Sequence, residues 1–129
     1  MSDIIEIKET INNFIIDMFN WKKENPKTEL KQYKDLKDKD TMGMVYRNDQ
    51  NYYEKLSAFK SKLMGIKGYI IKLKDGNLDR VSSRSADSLI EYIDEQVKIL
   101  DSEMVVMRSR LKFYENVIFM ISNFSYGDF

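Results

Sequence analysis

The sequence predicts an all-α protein: an antiparallel helical hairpin with a long C-terminal helix, joined by an amphipathic N-terminal helix. Three observations predict it. Apolar residues recur at alternating three- and four-residue steps over long stretches, the period of one helix face. Lys, Glu, Leu, Ile and Met, all good helix formers, are abundant. One Pro and five Gly in 129 residues leave little punctuation for the many turns of an all-β fold.

The first element spans residues 1–24, where Ile4, Ile7, Ile11, Phe14, Met18 and Trp21 form a stripe that Ile5, Ile15 and Phe19 widen. Pro26 pushes the residue before it out of the helical region, so the helix stops near Glu24, and Asn25-Pro26 suits the start of another. Residues 25–43 read as a charged linker or short helix, because charges alternate in sign and only Leu30, Tyr33 and Leu36 are apolar points between Lys27 and Asp40. A basic helix follows over 44–75, with Val45, Tyr52, Leu56, Phe59, Leu63, Ile66, Ile70 and Leu73 at heptad a/d spacing. Gly76 offers a left-handed closing residue, and 76–86 reads as a polar loop rich in Ser and Arg. The long helix, 87–124, starts at Asp87 or Ser88, with Ser88 and Glu91 spaced as a capping box. Its heptad runs from Ile90, Ile93, Val97, Leu100, Met104 and Met107 onward through Leu111, Tyr114, Ile118 and Ile121. Together, residues 1–129 make a single helical domain.

Folding the two heptads back on each other around the loop sets Leu73 against Ile93, Ile70 against Val97, Ile66 against Leu100, Leu63 against Met104 and Leu56 against Leu111. The same register places Lys74 beside Asp94, Lys67 beside Asp101 and Lys62 beside Glu103, a charge match that supports the hairpin. Lys60 beside Arg108 is the exception.

Composition excludes much chemistry. The chain has neither Cys nor His, so disulfides, thiolate nucleophiles, imidazole bases and Cys/His zinc sites are ruled out. The longest uncharged run, Asn116 to Gly127, is far short of the ~20 apolar residues that cross a bilayer. Asp3, Glu6 and Glu9 oppose a secretory signal. A soluble, cytoplasmic protein with no membrane contact is the expectation. Asp87, Glu91, Asp94 and Glu95 suit a helix dipole and lysine pairing better than a metal. With no phosphate-cradling glycine loop, no catalytic residue, metal or cofactor is assigned, and the chain reads as non-enzymatic.

Twenty-one basic and twenty-one acidic residues cancel, but unevenly. Residues 44–84 hold nine basic against four acidic groups, and residues 85–129 four against eight. Between Lys55 and Lys74 there are six lysines and no acid. Lys55, Lys60, Lys67, Lys72, Lys74, Arg80 and Arg84, with Tyr69 for stacking, therefore form the candidate nucleic-acid surface. Lys55, Lys60, Lys72, Arg80 and Arg84 stay unpaired in the hairpin register, and such contacts serve phosphates without base-specific readout. The bland reading of the lysines is as solvating flank residues of the seam. Near the C-terminus, Phe113, Val117, Phe119, Met120 and Phe124 exceed what one hairpin face buries and form the candidate oligomer interface.

A basic middle segment, a Gly-containing loop, a long C-terminal helix and an aromatic tail together resemble the UvsY family, recombination mediators of T-even-like phages. The likeness covers roughly residues 50–126. Its best stretch runs from Leu100-Asp101-Ser102-Glu103-Met104 through Leu111-Lys112-Phe113 to Ile118 and Ile121-Ser122-Asn123. Lys67-Gly68-Tyr69 and Lys72-Leu73-Lys74 before Gly76 are the nearest stretches to the family's basic DNA-contacting element, although the paired tyrosines and the Arg-x-aromatic ending are missing. The resemblance implies a phage-encoded homo-oligomer that binds single-stranded DNA and helps load a recombinase in place of single-strand-binding protein. The alternative is a helical-hairpin interaction module, an inhibitor or scaffold, that ignores nucleic acid.

Overall fold

A computed structural model describes residues 2–27, 39–76 and 78–124. The charged stretch around Leu30, Tyr33 and Leu36 lies outside the described residues, as do Asn77 and the aromatic tail beyond Phe124. The described chain is three helices: α1 (Ser2–Glu24), α2 (Lys39–Asp75) and α3 (Arg80–Phe124). Its residues group into two compact units. The first comprises Met1–Asn25 with Ser57–Ser102, and the second Pro26–Leu56 with Glu103–Phe129. No helix among the described residues is long and apolar enough to cross a membrane.

In the first unit, Ile4, Ile7, Ile11 and Met18 of α1 are buried as their spacing requires. Phe14 and Trp21 set their rings edge-on to Phe59, with centroids 5.8 and 5.6 Å away, a favoured aromatic geometry. Ile5 and Phe19, expected to widen this stripe, are exposed. The helix ends where Asn25 donates both its backbone N–H and its side-chain amide to the Trp21 carbonyl, one residue before the proline. Leu63 and Ile70 of α2 and Ile93 and Leu100 of α3 are fully buried, each such side chain stabilising by about 1.5–3 kcal/mol.

The turn is much shorter than the expected 76–86 loop. Gly76 closes α2 by donating to the Leu73 carbonyl at 3.1 Å, a tight final turn, and does so without adopting the left-handed conformation expected of it. Asp79 then caps α3: its carboxylate accepts from the Ser82 N–H at 2.7 Å and from the Ser82 hydroxyl at 3.2 Å. Those bonds hold the Asp79 carboxyl below the usual carboxylate range. The long helix thus begins at Arg80, seven residues before Asp87. Its buried face extends through Ser82 and Ala86, residues too small to register as an apolar stripe.

Starting α3 one heptad early moves the register by one heptad. Lys60 pairs with Asp101 at 2.7 Å, Lys67 with Asp94 at 2.6 Å, and Lys74 with Asp87. The expected partners of Lys67 and Lys74 were each seven residues further along. The shift also removes the expected clash of Lys60 with Arg108, and Lys62 lies over the Phe14 ring at 4.9 Å in place of its expected partner Glu103.

In the second unit the pairing advances by the same seven-residue step. The Tyr46 hydroxyl donates to Glu115 at 2.8 Å, and Arg108 donates to the Tyr53 hydroxyl at 2.7 Å. Met42, Val45 and Tyr114 make a buried cluster against which Tyr46, Val117, Ile118 and Ile121 pack. Asp49 occupies the next seam position, 1% exposed. Its Oδ2 lies 2.9 Å from Arg110 Nε, an ionic contact without well-aligned hydrogen-bond geometry. Arg110 also donates to the Tyr114 hydroxyl at 3.0 Å. Burial pushes the Asp49 carboxyl above its ordinary range, against the opposing pull of Arg110 and Tyr114.

Removing only the cation, by Arg110→Met, leaves this carboxylate enclosed and uncompensated, which costs about 3–5 kcal/mol. Urea unfolding at neutral pH measures the loss, and Asp49→Leu combined with Arg110→Met restores most of it. A raised folded-state pKa means that the native protein binds the proton more tightly than the unfolded chain. The associated stability is present at low pH and is lost as pH rises through the folded pKa. Wild type should therefore gain stability relative to Asp49→Asn as pH falls from neutral toward the ordinary carboxylate value of 3.8.

Candidate nucleic-acid and assembly surfaces

The lysines assigned to nucleic acid from sequence do not form one free surface. Lys60, Lys67 and Lys74 recur every seven residues along the edge of α2, which turns them toward the acidic edge of α3. Lys60 was expected to be unpaired, and Asp101 meets it because the register sits one heptad away. These bridges are partly exposed, with side chains 24–38% accessible on the lysines and 48–54% on the acids. Each contributes little to stability, yet each supplies a counter-charge that a phosphate would have to displace. Lys55 is also engaged.

Lys72, Arg80 and Arg84 differ. All three are exposed, and they form no ion pair with the described residues. They lie on the last turn of α2 and the first turns of α3, so the short connection keeps them near one end of the hairpin. Tyr69, one turn before Lys72, is half exposed. The sequence groups these four with the other lysines, and only the register separates them from those that are neutralised. Tyr53 is occupied: Arg108 donates to its hydroxyl and also lies over its ring, 5.6 Å from the centroid.

The assembly residues divide similarly. Phe113, Phe119 and Met120 are 50%, 65% and 55% exposed. Val117, assigned to the same interface, instead packs on Met42, Val45 and Tyr114 in the second unit's own core. Phe124 closes α3, and its side chain lies outside the described residues. Sequence reasoning missed Val106, which with Phe113 and Met120 makes a seven-residue repeat of exposed apolar residues along α3. Its signal was a second heptad, offset from the longer one that fixed attention on the hairpin seam. Of the exposed charges between Val105 and Asn123, Arg108 and Glu115 are directed to Tyr53 and Tyr46 of α2. Lys112 is the remaining one, so a sizeable face of a highly charged protein carries a single charge.

Double-mutant cycles at Lys67 and Asp94 should return a coupling of about 0.2–1 kcal/mol that falls in high salt, as for other exposed pairs. Comparison with known protein families, with characterised proteins and with solved structures gives no match for this chain.

Proposed function

We propose that this chain is a non-enzymatic assembly protein whose copies associate through the outward strip of α3 and together hold single-stranded DNA without sequence preference. In the reading that the UvsY resemblance implies, such an assembly helps load a recombinase. The observation that carries the proposal is the repeat of Val106, Phe113 and Met120, each half exposed on a face with one charge. Apolar strips of this kind are normally covered by another chain. The DNA half of the proposal is supported by Lys72, Arg80, Arg84 and Tyr69 at the turn end of the hairpin. Three cations hold DNA weakly, but linking several copies raises the effective concentration of cations around one strand.

A second reading is favoured by the pairing of Lys60, Lys67 and Lys74 with Asp101, Asp94 and Asp87. With those lysines spent inside the hairpin, the chain would serve as a protein-interaction module that uses the α3 strip alone and ignores DNA.

Fluorescence anisotropy of a labelled single strand, with duplex as control, distinguishes the two. The first reading expects single-strand preference and a salt slope of about −2 in log–log form for each engaged copy, from three phosphate contacts. Replacing Lys72, Arg80 and Arg84 together by Ala should abolish binding with helicity unchanged, whereas loss of Lys60 and Lys67 should matter less. Absence of binding at low salt leaves the second reading. Sedimentation tests assembly in both. Phe113→Ser with Met120→Ser should reduce the mass and spare the fold, while Val117→Asp should lower the unfolding midpoint because it strikes the core.

A further inference from the structure

Between α1 and α2 in the first unit runs an open groove of about 460 Å³, lined by Ile7, Thr10, Lys62, Gly65, Ile66 and Tyr69. It shares only Tyr69 with the candidate nucleic-acid surface and nothing with the α3 strip. Its floor is made by a glycine within α2, four residues after Ser61 and ten before the helix ends. Glycine inside a helix is destabilising relative to alanine. A close neighbour would explain such a residue, but a side chain built at position 65 meets no atom within 4 Å. The glycine is therefore not required by the packing of this chain, and what its missing side chain provides is open space on the groove floor.

The lining is chemically lopsided. Ile7, Ile66, the aliphatic stem of Lys62 and the half-exposed Tyr69 ring present apolar surface. The Thr10 hydroxyl donates to the Glu6 carbonyl, which uses its proton. Lys62 is the single charged residue in the lining. Its ammonium lies 4.9 Å from the centre of the Phe14 ring and forms no ion pair with the described residues. A cation at the rim of an apolar trough is complementary to an apolar group with a carboxylate beside it. A nucleic-acid base fits less well, because the donors and acceptors around its edge would face apolar walls and lose their hydrogen bonds.

We infer that this groove docks an acidic peptide segment of a partner protein, which lays an apolar side chain over Gly65 against Tyr69 and sets a carboxylate on Lys62. Such a site is small, so the segment binds weakly by itself and serves as one element of a larger contact.

The test uses the full-length, ¹⁵N-labelled chain titrated with an acetylated, amidated peptide in which one phenylalanine is flanked by aspartates. Backbone signals of Thr10, Gly65, Ile66 and Tyr69 should shift saturably, while those around Phe113 and Arg84 stay in place. Gly65→Leu sets its Cβ where no atom lies within 4 Å, occupies the floor and strengthens the helix, so it should weaken binding at least tenfold with helicity retained. Lys62→Gln should weaken binding of the acidic peptide and leave that of its Asn-for-Asp counterpart unchanged. The inference is overturned if the peptide moves none of these signals or binds Gly65→Leu as well as wild type. It is equally overturned if an oligothymidylate occupies the groove more tightly than the peptide, which would make the site a base-binding one.

Discussion

A buried aspartate in an otherwise apolar heptad seam is the constraint on which the rest of the arrangement depends. Asp49 stands where a leucine or isoleucine would continue the stripe of α2, and it is enclosed beside Arg110 and Tyr114. A heptad seam repeats, so sliding α3 by seven residues returns apolar side chains to apolar positions at nearly no cost. The buried carboxylate does not repeat. In the register displaced by one heptad it would face Val117 and Ile121 in place of Arg110 and Tyr114, and a buried charge without a cation costs several kcal/mol. The same slide would bring Lys60 to Arg108, while Lys67 and Lys74 would only exchange their partners for Asp101 and Asp94. A polar seam residue that gives up some stability to fix alignment is a known use of such groups, and here the Lys60–Asp101 bridge adds to it in the same sense.

That logic explains which parts of the fold were legible in the sequence. The all-α class and the ends of α1 followed from periodicity and from Pro26, because both are local signals. The hairpin was legible too, since two long heptads separated by a polar break have few other ways to bury their faces. Its register was not. The charges select a match among registers seven apart, but the polar run Asn77–Ser85 reads as part of a loop over 76–86, so the choice begins one heptad too late. Ser82 and Ala86 continue the buried face without looking apolar, and the Asp79 cap was overshadowed by the Ser88–Glu91 spacing. A capping aspartate three residues before a serine was the available clue.

The register also decides what the surface can do. Each lysine that meets an α3 carboxylate is withdrawn from the pool of cations, so the basic block of α2 contributes far less free positive charge than its composition suggests. Among the candidate nucleic-acid residues, the cations that stay clear of carboxylates, Lys72, Arg80 and Arg84, lie where the helices turn. Val117 shows the same lesson for the apolar tail: its position relative to Met42 and Val45 makes it core, while Phe113 and Met120, only a few residues away, face outward. Candidate site residues are thus legible in the sequence by residue type, and sorted into available and spent only by the pairing of the helices.

Cysteine pairs read that pairing directly, because the chain contains no cysteine of its own. Lys67→Cys combined with Asp94→Cys, and separately with Asp101→Cys, would be oxidised under mild conditions and the fraction cross-linked within one chain measured. The account requires rapid, near-complete closure of the 67–94 pair and little of the 67–101 pair. Preferential closure of 67–101, or equal closure of both, would contradict it and return the hairpin to the displaced register or to a mixture of the two.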